Sequence, residues 1–217
     1  MKTQSLALSA LLLVTAPAFA TPSGLNNIPT ADTVPDRTVA VQAFETFSSG
    51  TDDFWIGFKT GWDFSPVHLE WGLDSYLSPD PTGPLYFQTK LGIEPWQGGK
   101  FVIGVASVGL TDTSRAGDPF TYAVLTQDLK LARLSVGYGL QTDSNTVLLG
   151  LDRTFKVWDR NLNLNADLVQ IRNESAWMPA VGAKYDLTKH IVLESWVNFP
   201  EDADTSVMAK INFVFTF

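Results

Sequence analysis

The chain has 217 residues, no cysteine and a formal net charge of −8. The lack of cysteine excludes a disulfide framework and a thiolate metal site. The acidic balance argues against nucleic acid as a partner, because phosphate recognition needs an excess of lysine and arginine.

The first 20 residues have the pattern of a cleaved secretory signal peptide. An apolar run covers residues 6–14, and Ala18 and Ala20 supply the small residues that precede a cleavage site. The run is too short for a helix that spans a membrane, and Pro17 lies where such a helix would continue. We therefore exclude residues 1–20 from the fold.

Residues 21–37 are rich in proline and glycine and show no strand periodicity. Two interpretations remain open: the segment folds back as a plug into the mouth of the following domain, or it only leads the chain into the first strand. Irregular backbone at membrane depth is tolerated where it is enclosed by protein or water, so both are physically allowed.

From residue 38 to residue 217 the sequence reads as about twelve strand-like runs separated by Gly, Pro, Asp, Asn and Ser. Runs of about ten residues suit tilted strands that cross a bilayer and exceed the ~5–6 residues usual in globular sheets. No helix is expected after the signal peptide. The predicted spans are 38–47, 54–64, 67–77, 85–94, 101–110, 120–127, 130–141, 146–157, 161–171, 177–186, 190–199 and 205–217.

The predicted connections alternate in length. Tight turns at one end and longer, acidic loops at the other are typical of outer-membrane barrels. The turn over residues 94–100 is the exception, since it is long but falls among the tight ones. The predicted long loops are 48–53, 78–84, 112–119, 142–146 and 200–204.

Most runs alternate apolar and polar residues with a period of two, so each strand has an apolar face and a polar face. The runs 38–47 and 101–110 are mixed on both faces. Aromatic residues of the apolar face concentrate toward the strand ends, as they do at the two interfaces of a bilayer. These predicted interface residues are Phe54, Trp62, Phe64, Trp71, Tyr122, Trp177, Tyr185, Phe199 and Phe217.

The polar face carries lysines and carboxylates in near balance, which predicts cross-strand ion pairs around a narrow wet lumen, such as Glu194 with Lys210 or Lys184. Glycines on this face either leave the lumen open or give room for barrel curvature; they are Gly57, Gly61, Gly72, Gly92, Gly137, Gly139 and Gly182. The candidate lumen-lining residues are Lys59, Asp63, His68, Glu70, Asp74, Lys90, Arg133, Asp152, Lys156, Asp167, Lys184, Glu194 and Lys210.

The final strand spaces Ile211, Phe213, Phe215 and Phe217 two residues apart. With the signal-like start, the cysteine-free chain and the alternating strands, this ending resembles the bacterial outer-membrane β-barrel class. The resemblance implies an all-β fold, a closed antiparallel up-and-down transmembrane β-barrel, surrounded by outer-membrane lipid. It also implies that the last strand, with Phe213, Phe215 and Phe217, is the signal read by the barrel-assembly machinery.

The function expected is a narrow porin-like channel for small hydrophilic solutes in the bacterial outer membrane. A non-conducting barrel that anchors or stabilises the membrane is the alternative, and a soluble lipocalin-like barrel is less favoured, because about twelve strands enclose a lumen too wide for one layer of apolar side chains to fill. His68 and His190 belong to no recognisable triad or metal-ligand spacing. We therefore expect no enzyme, no metal and no cofactor.

Overall fold

The computed structural model describes residues 23–48, 52–78, 82–142, 144–170, 177–201 and 203–217. The predicted signal peptide lies outside these residues. The strands are β1 Thr38–Phe47, β2 Asp53–Phe64, β3 Val67–Ser78, β4 Leu85–Trp96, β5 Gly99–Gly109, β6 Phe120–Asp128, β7 Arg133–Gln141, β8 Ser144–Val157, β9 Arg160–Gln170, β10 Trp177–Asp186, β11 Ile191–Asn198 and β12 Ser206–Thr216. One helical turn, α1, spans Thr113–Ala116.

The twelve strands form a closed barrel in which each strand pairs antiparallel with its neighbours in the chain. β1 and β12 close it, with Thr38 opposite Thr216 at one end of the seam and Phe47 opposite Val207 at the other. The predicted all-β, closed antiparallel barrel of about twelve strands is confirmed. Among the described residues, no helix is both long and apolar enough to cross a membrane.

The outer face of the barrel is an exposed apolar band. Because successive side chains of a strand point to opposite faces, the register places this band opposite the charged face. Exposed apolar area of this extent marks a surface that lipid or a partner covers. A lipocalin-like barrel would turn its apolar face inward instead. The band includes Val41, Ile56, Leu91, Ile103, Leu134, Val136, Leu151, Val181, Leu193, Phe213 and Phe215.

Three predictions about local structure are wrong. The turn over 94–100 is tight, because β4 continues through Pro95 to Trp96 and β5 begins at Gly99, with a register shift that accommodates the proline. β8 begins at Ser144 and therefore occupies most of the predicted loop 142–146. The predicted loop 112–119 contains the helical turn α1, although no helix was expected after the signal peptide. Short connections at 65–66, 97–98, 129–132, 158–159 and 187–190 define the short-turn end, and the opposite end is the long-loop end.

Tyr122 is the one predicted interface aromatic on the wrong face. It lies opposite Gly104, which in turn lies opposite Lys90 on the charged face. Its ring packs against Phe120 and an apolar cluster inside the barrel. A tyrosine has an apolar body and a polar tip, so its sequence position alone does not distinguish an interface from a lumen.

Residues 23–34 pack inside the barrel, and residues 35–37, of which Pro35 and Arg37 are exposed, lead into β1; we refer to residues 23–37 as the plug. Leu25, Ile28 and Ala31 form a buried cluster with wall residues Val102 and Val124, together with Leu148. This contact explains the mixed faces of β5, because its inward residue Val102 is apolar where it meets the plug.

Glycines in the wall make room for the plug. A Cβ at Gly61 would lie 1.7 Å from the Val34 carbonyl oxygen, and a Cβ at Gly150 would lie 2.5 Å from a methyl carbon of Leu25. These two positions therefore admit the plug's backbone and side chains, a role other than the two interpretations that the sequence left open.

Candidate functional site

The lumen is the candidate site. Strand register places all thirteen candidate residues on the inner face of the barrel. Glu70 lies opposite Lys90, Lys184 opposite Glu194, and Glu194 opposite Lys210. The register between neighbouring strands carries the same face to the other candidates, with Lys59 opposite Gly72, Arg133 opposite Asp152 and Asp167 opposite Ala180. Three zones follow from their contacts: residues that hold the plug, ion pairs within the wall, and polar groups near the two mouths.

Glu70 of β3 holds both ends of the plug. Its carboxylate accepts a hydrogen bond from the Ser23 hydroxyl on Oε1 and one from the Val34 backbone N–H on Oε2, the latter at 2.7 Å. The Nζ atoms of Lys90 and Lys59 lie 3.8 and 4.0 Å from Oε1. Because Glu70 is only 3% exposed, these two lysines supply the countercharge that its burial requires.

Lys90 adds a contact of its own. Its Nζ donates to the Thr30 carbonyl oxygen at 3.2 Å, and its side chain is almost fully buried. Glu70 and Lys90, a cross-strand pair, therefore bind three separate points of the plug.

Asp32 fixes the plug to the short-turn end of the wall. Its carboxylate lies 2.8 Å from Arg133 and 3.2 Å from Lys100, and Arg133 also binds Asp152 through Nε at 3.2 Å. Burial by itself would raise the pKa of Asp32, but the two cations outweigh it and hold that pKa well below its usual range. Asp32 is thus ionised and paired in the docked plug. Asn163 of β9 donates to Asp152 at 2.7 Å and completes this network.

Asn27 holds the opposite side of the plug. Its backbone N–H donates to Asp167 at 2.8 Å, and its side-chain amide donates to Asp167 at 3.2 Å and to Asn198 at 2.9 Å. The Trp196 indole N–H donates back to the Asn27 side-chain oxygen at 3.3 Å. Lys184 donates to the Gly24 carbonyl oxygen nearby.

The predicted pairing of Glu194 is confirmed. Lys184 lies 3.3 Å and Lys210 3.9 Å from its carboxylate, and the Asn212 amide donates to it at 2.6 Å. Glu70 also accepts hydrogen bonds from the plug, whereas the three partners of Glu194 named here all belong to the wall. The charged lumen thus contains both plug-binding and wall-binding ion pairs.

The side chains of four candidates bond to other wall residues or lie near a mouth of the barrel. Asp63 and His68 face each other at 2.7 Å near the short-turn end. Asp74 accepts hydrogen bonds from the side-chain amides of Gln42 and Gln88. Lys156 lies opposite Asn161 near the β8–β9 turn and is exposed.

Sequence reasoning missed the plug side chains Asn27 and Asp32 as well as Lys100. Asparagine and aspartate in a Gly/Pro-rich segment read equally well as turn formers, so periodicity could not single them out. Lys100 fell in a stretch that the sequence assigned to a turn. A signal did exist: the mixed faces of β5 indicated that something apolar faced that strand from inside.

No family model matches the sequence, and no curated protein matches it. The fold does have solved relatives. The KdgM porin aligns with a TM-score of 0.60 and 9% identity over 81% of this chain and 99% of that one. The NanC porin aligns with a TM-score of 0.54 and 9% identity over 80% and 98%.

Outer membrane phospholipase A from Escherichia coli also aligns, with a TM-score of 0.50 and 12% identity over 85% of this chain and 95% of that one. At such identities the likeness concerns the fold alone. The chain therefore has the fold of bacterial outer-membrane barrels, which serves porins and an enzyme alike.

Proposed function

We propose that the protein is a channel of the bacterial outer membrane for small hydrophilic solutes, and that the plug closes it in the conformation described above. The observation that carries this proposal is what occupies the lumen and which contacts hold it there. The wall of the lumen is polar and charged. Much of the lumen is filled by the plug, which belongs to none of the strands and is held largely by hydrogen bonds and ion pairs. Water can replace such contacts, so departure of the plug would leave a wet passage.

The proposed location rests on two features. The outer face of the barrel is apolar and exposed, as a lipid-facing surface must be. The fold is that of the KdgM and NanC porins. Secretion through a cleaved signal peptide is part of the same proposal and follows from the sequence pattern of residues 1–20.

A non-conducting structural barrel is the second candidate, and the plug itself favours it. Buried ion pairs such as Lys184–Glu194 cross-link the wall, and the plug adds contacts on both sides of the lumen. The two candidates differ in one property, which is whether the plug leaves the lumen.

Enzymatic activity is not part of the proposal. The His68 ring contacts the Asp63 carboxylate, and Nδ1 of His190 lies 2.9 Å from the Val214 carbonyl oxygen. The role proposed for both rings is structural, at the ends of strands.

Conductance across planar bilayers tests the proposal, using the purified barrel with and without residues 21–37. We expect the intact protein to be closed for most of the time and the deletion variant to conduct continuously. Conductance in neither protein would refute the channel and support the structural barrel. Equal conductance in both would show that the plug does not close the passage.

Charge reversal then locates the constriction. In the deletion variant, Lys90→Glu and Lys210→Glu should each shift the reversal potential in a salt gradient toward cation preference, because they change the sign of a charge inside a narrow lumen. An unchanged reversal potential would leave a pore but place its constriction elsewhere. A heat-modifiable gel shift shows in each case that the barrel is folded.

A further inference from the structure

A cavity of about 320 Å³ opens on the long-loop side of the plug. Asp74, one of its lining residues, lies four residues beyond the plug-binding Glu70 on β3, toward the 79–84 connection. A solute arriving from the long-loop end would meet this cavity before the plug. Its lining residues include Phe44, Trp55, Asp74, Tyr86, Asp118 and Gln141.

One wall of the cavity is aromatic. The rings of Phe44 and Trp55 are nearly parallel, with an interplanar angle of 5° and centroids 5.8 Å apart. Tyr86 adds a third ring at 5.5 Å from Trp55, tilted by 43°. All three belong to the polar face of their strands, where a water-filled lumen has no need of aromatic rings. These three rings give the cavity an aromatic wall, which we call the platform, against which a partly apolar ligand can pack.

Polar groups also lie near the platform. The Asp74 carboxylate is oriented by the amides of Gln42 and Gln88, and it retains lone pairs for further donors. Gln141 is fixed by a 3.0 Å bond to the Asp118 backbone oxygen. A few placed polar groups beside an apolar surface are what orient a small ligand in a site of this size.

The backbone at the cavity departs from a regular barrel. The β4–β5 pairing shifts register between Phe87 and Thr89, and Ser107 adopts a φ of +58°. A non-glycine residue in the left-handed region is uncommon, and such bulges occur next to binding sites, where they re-aim side chains. α1 then folds back so that Ala116 packs on Gly109 and brings residues 116–118 over the cavity.

We propose that this cavity binds a non-acidic saccharide, with a sugar ring stacked on the platform of Phe44, Trp55 and Tyr86 and its hydroxyl groups donating to Asp74. A pyranose combines the two properties that the cavity matches: a C–H face that packs on aromatic rings and a rim of hydroxyl donors. The proposal rests on the proposed function, because it names the class of solute that the channel would take up.

The charge of the cavity favours a neutral saccharide over a uronate, which carries a carboxylate. Asp74 and Asp118 are its charged lining residues, and among the described residues that line it none is a lysine or an arginine. Two lysines lie behind the lining, near Asp74, and each is paired with a wall carboxylate: Lys210 lies 5.7 Å from the Phe44 ring centroid and 3.9 Å from Glu194, and Lys59 lies 4.0 Å from Glu70. The KdgM porin has been solved in complex with oligogalacturonate, a polyanion. The carboxylates of this cavity would repel such a ligand.

Quenching of tryptophan fluorescence and isothermal titration calorimetry test the proposal on the full-length barrel in a detergent without a sugar headgroup. The probes are cellobiose, maltose and N,N′-diacetylchitobiose, with digalacturonate as the acidic comparison. We expect at least one neutral disaccharide to bind about tenfold or more tightly than digalacturonate. Binding of none of the neutral probes, or digalacturonate as the tightest ligand, would overturn the proposal.

Variants place the ligand. Trp55→Ala should weaken binding of the neutral disaccharide about tenfold or more, Trp55→Phe should restore much of it, and Asp74→Asn should weaken it less severely. Trp158→Ala is the matched control, since this exposed tryptophan lies in the β8–β9 turn at the opposite end of the barrel. Equal loss in both tryptophan variants, or none with Trp55→Ala, would refute the site. Because binding is measured without conductance, failure of the channel and failure of the site are distinguishable.

Discussion

Replacing Glu70 with glutamine should release the plug, and the heat-modifiable gel shift checks that the barrel stays folded without the carboxylate that faces Lys90 and Lys59. The carboxylate accepts two hydrogen bonds from the plug, from Ser23 and Val34. In glutamine the single side-chain oxygen can still accept from the Val34 N–H, while the NH2 group can only donate to the Ser23 hydroxyl, so both bonds become neutral. Bonds to a charged acceptor are worth about 1.5–3 kcal/mol each and neutral ones about 0.5–1.5, so the amide loses roughly 1–1.5 kcal/mol per bond. The plug should therefore dock about 2–3 kcal/mol less favourably, which raises the equilibrium ratio of open to closed channels about 30- to 150-fold.

Single-channel recording in planar bilayers measures this ratio directly. The increase should appear as shorter closed times in the Glu70→Gln protein, with the open-state current little changed. In a barrel that lacks residues 21–37, the same substitution should leave gating unaffected, because the plug groups that donate to the carboxylate are gone. This double comparison isolates the contact between Glu70 and the plug.

Asp74→Asn provides the matched control on the same strand. Asp74 also faces the lumen, but its carboxylate is bonded to the wall amides Gln42 and Gln88. Its neutralisation should alter ion preference more than closed times. If Glu70→Gln leaves the closed times as they are, or changes gating equally in the deletion barrel, the assignment of Glu70 as the plug's holder is wrong.

Three further predictions concern the plug and the last strand. Gly61→Ala should expel the plug, because a Cβ there would lie 1.7 Å from the Val34 carbonyl oxygen, whereas Gly92→Ala, 3.2 Å from its nearest neighbour, should leave single-channel recordings close to wild type. The docked plug lowers the pKa of Asp32, so the stabilisation of the docked plug by this carboxylate is complete above its ordinary pKa of 3.8 and is lost as the pH falls toward the docked value. Channel openings should therefore increase below about pH 4. Asp32→Asn should already open more often at pH 7 and should respond less to acid. Phe217→Asp should reduce the yield of heat-modifiable barrel in the outer-membrane fraction, and an undiminished yield would contradict a lipid-facing, assembly-directing role for this 65% exposed ring.

The barrel itself was predictable because its physical basis is local. A period of two along each strand assigns an inner and an outer face, and punctuation by Gly, Pro and Asn marks the turns. Pro95 misled the turn prediction because a proline usually ends a strand, yet a register shift near the barrel's end tolerates it. Tyr122 misled the face assignment because its side chain suits both an interface and a lumen.

The plug's position was not predictable in the same way. Its contacts join residues far apart in the chain, such as Asn27 with Asp167 and Asn198, and no periodicity reports such pairs. The sequence could name Glu70 and Lys90 as lumen residues, but their partners within the plug have ordinary turn composition. The long-loop cavity was hidden for a related reason, since Trp55 and Tyr86 sit at polar-face positions where alternation predicts neither binding nor stacking.

The β1–β12 seam constrains the order in which the molecule is made. The hydroxyl groups of Thr38 and Thr216 lie 3.1 Å apart across 178 residues of chain, so the seam cannot form until the last strand has been synthesised and delivered. Until then both terminal strands present unpaired backbone groups, which is the condition under which strands associate wrongly. The plug directly precedes β1, and its partners Glu70, Asp167 and Asn198 come from three separate parts of the sequence. Docking of the plug is therefore a late folding event, and a chain that stops before β12 would leave one edge of β1 unpaired and the barrel around the plug unclosed.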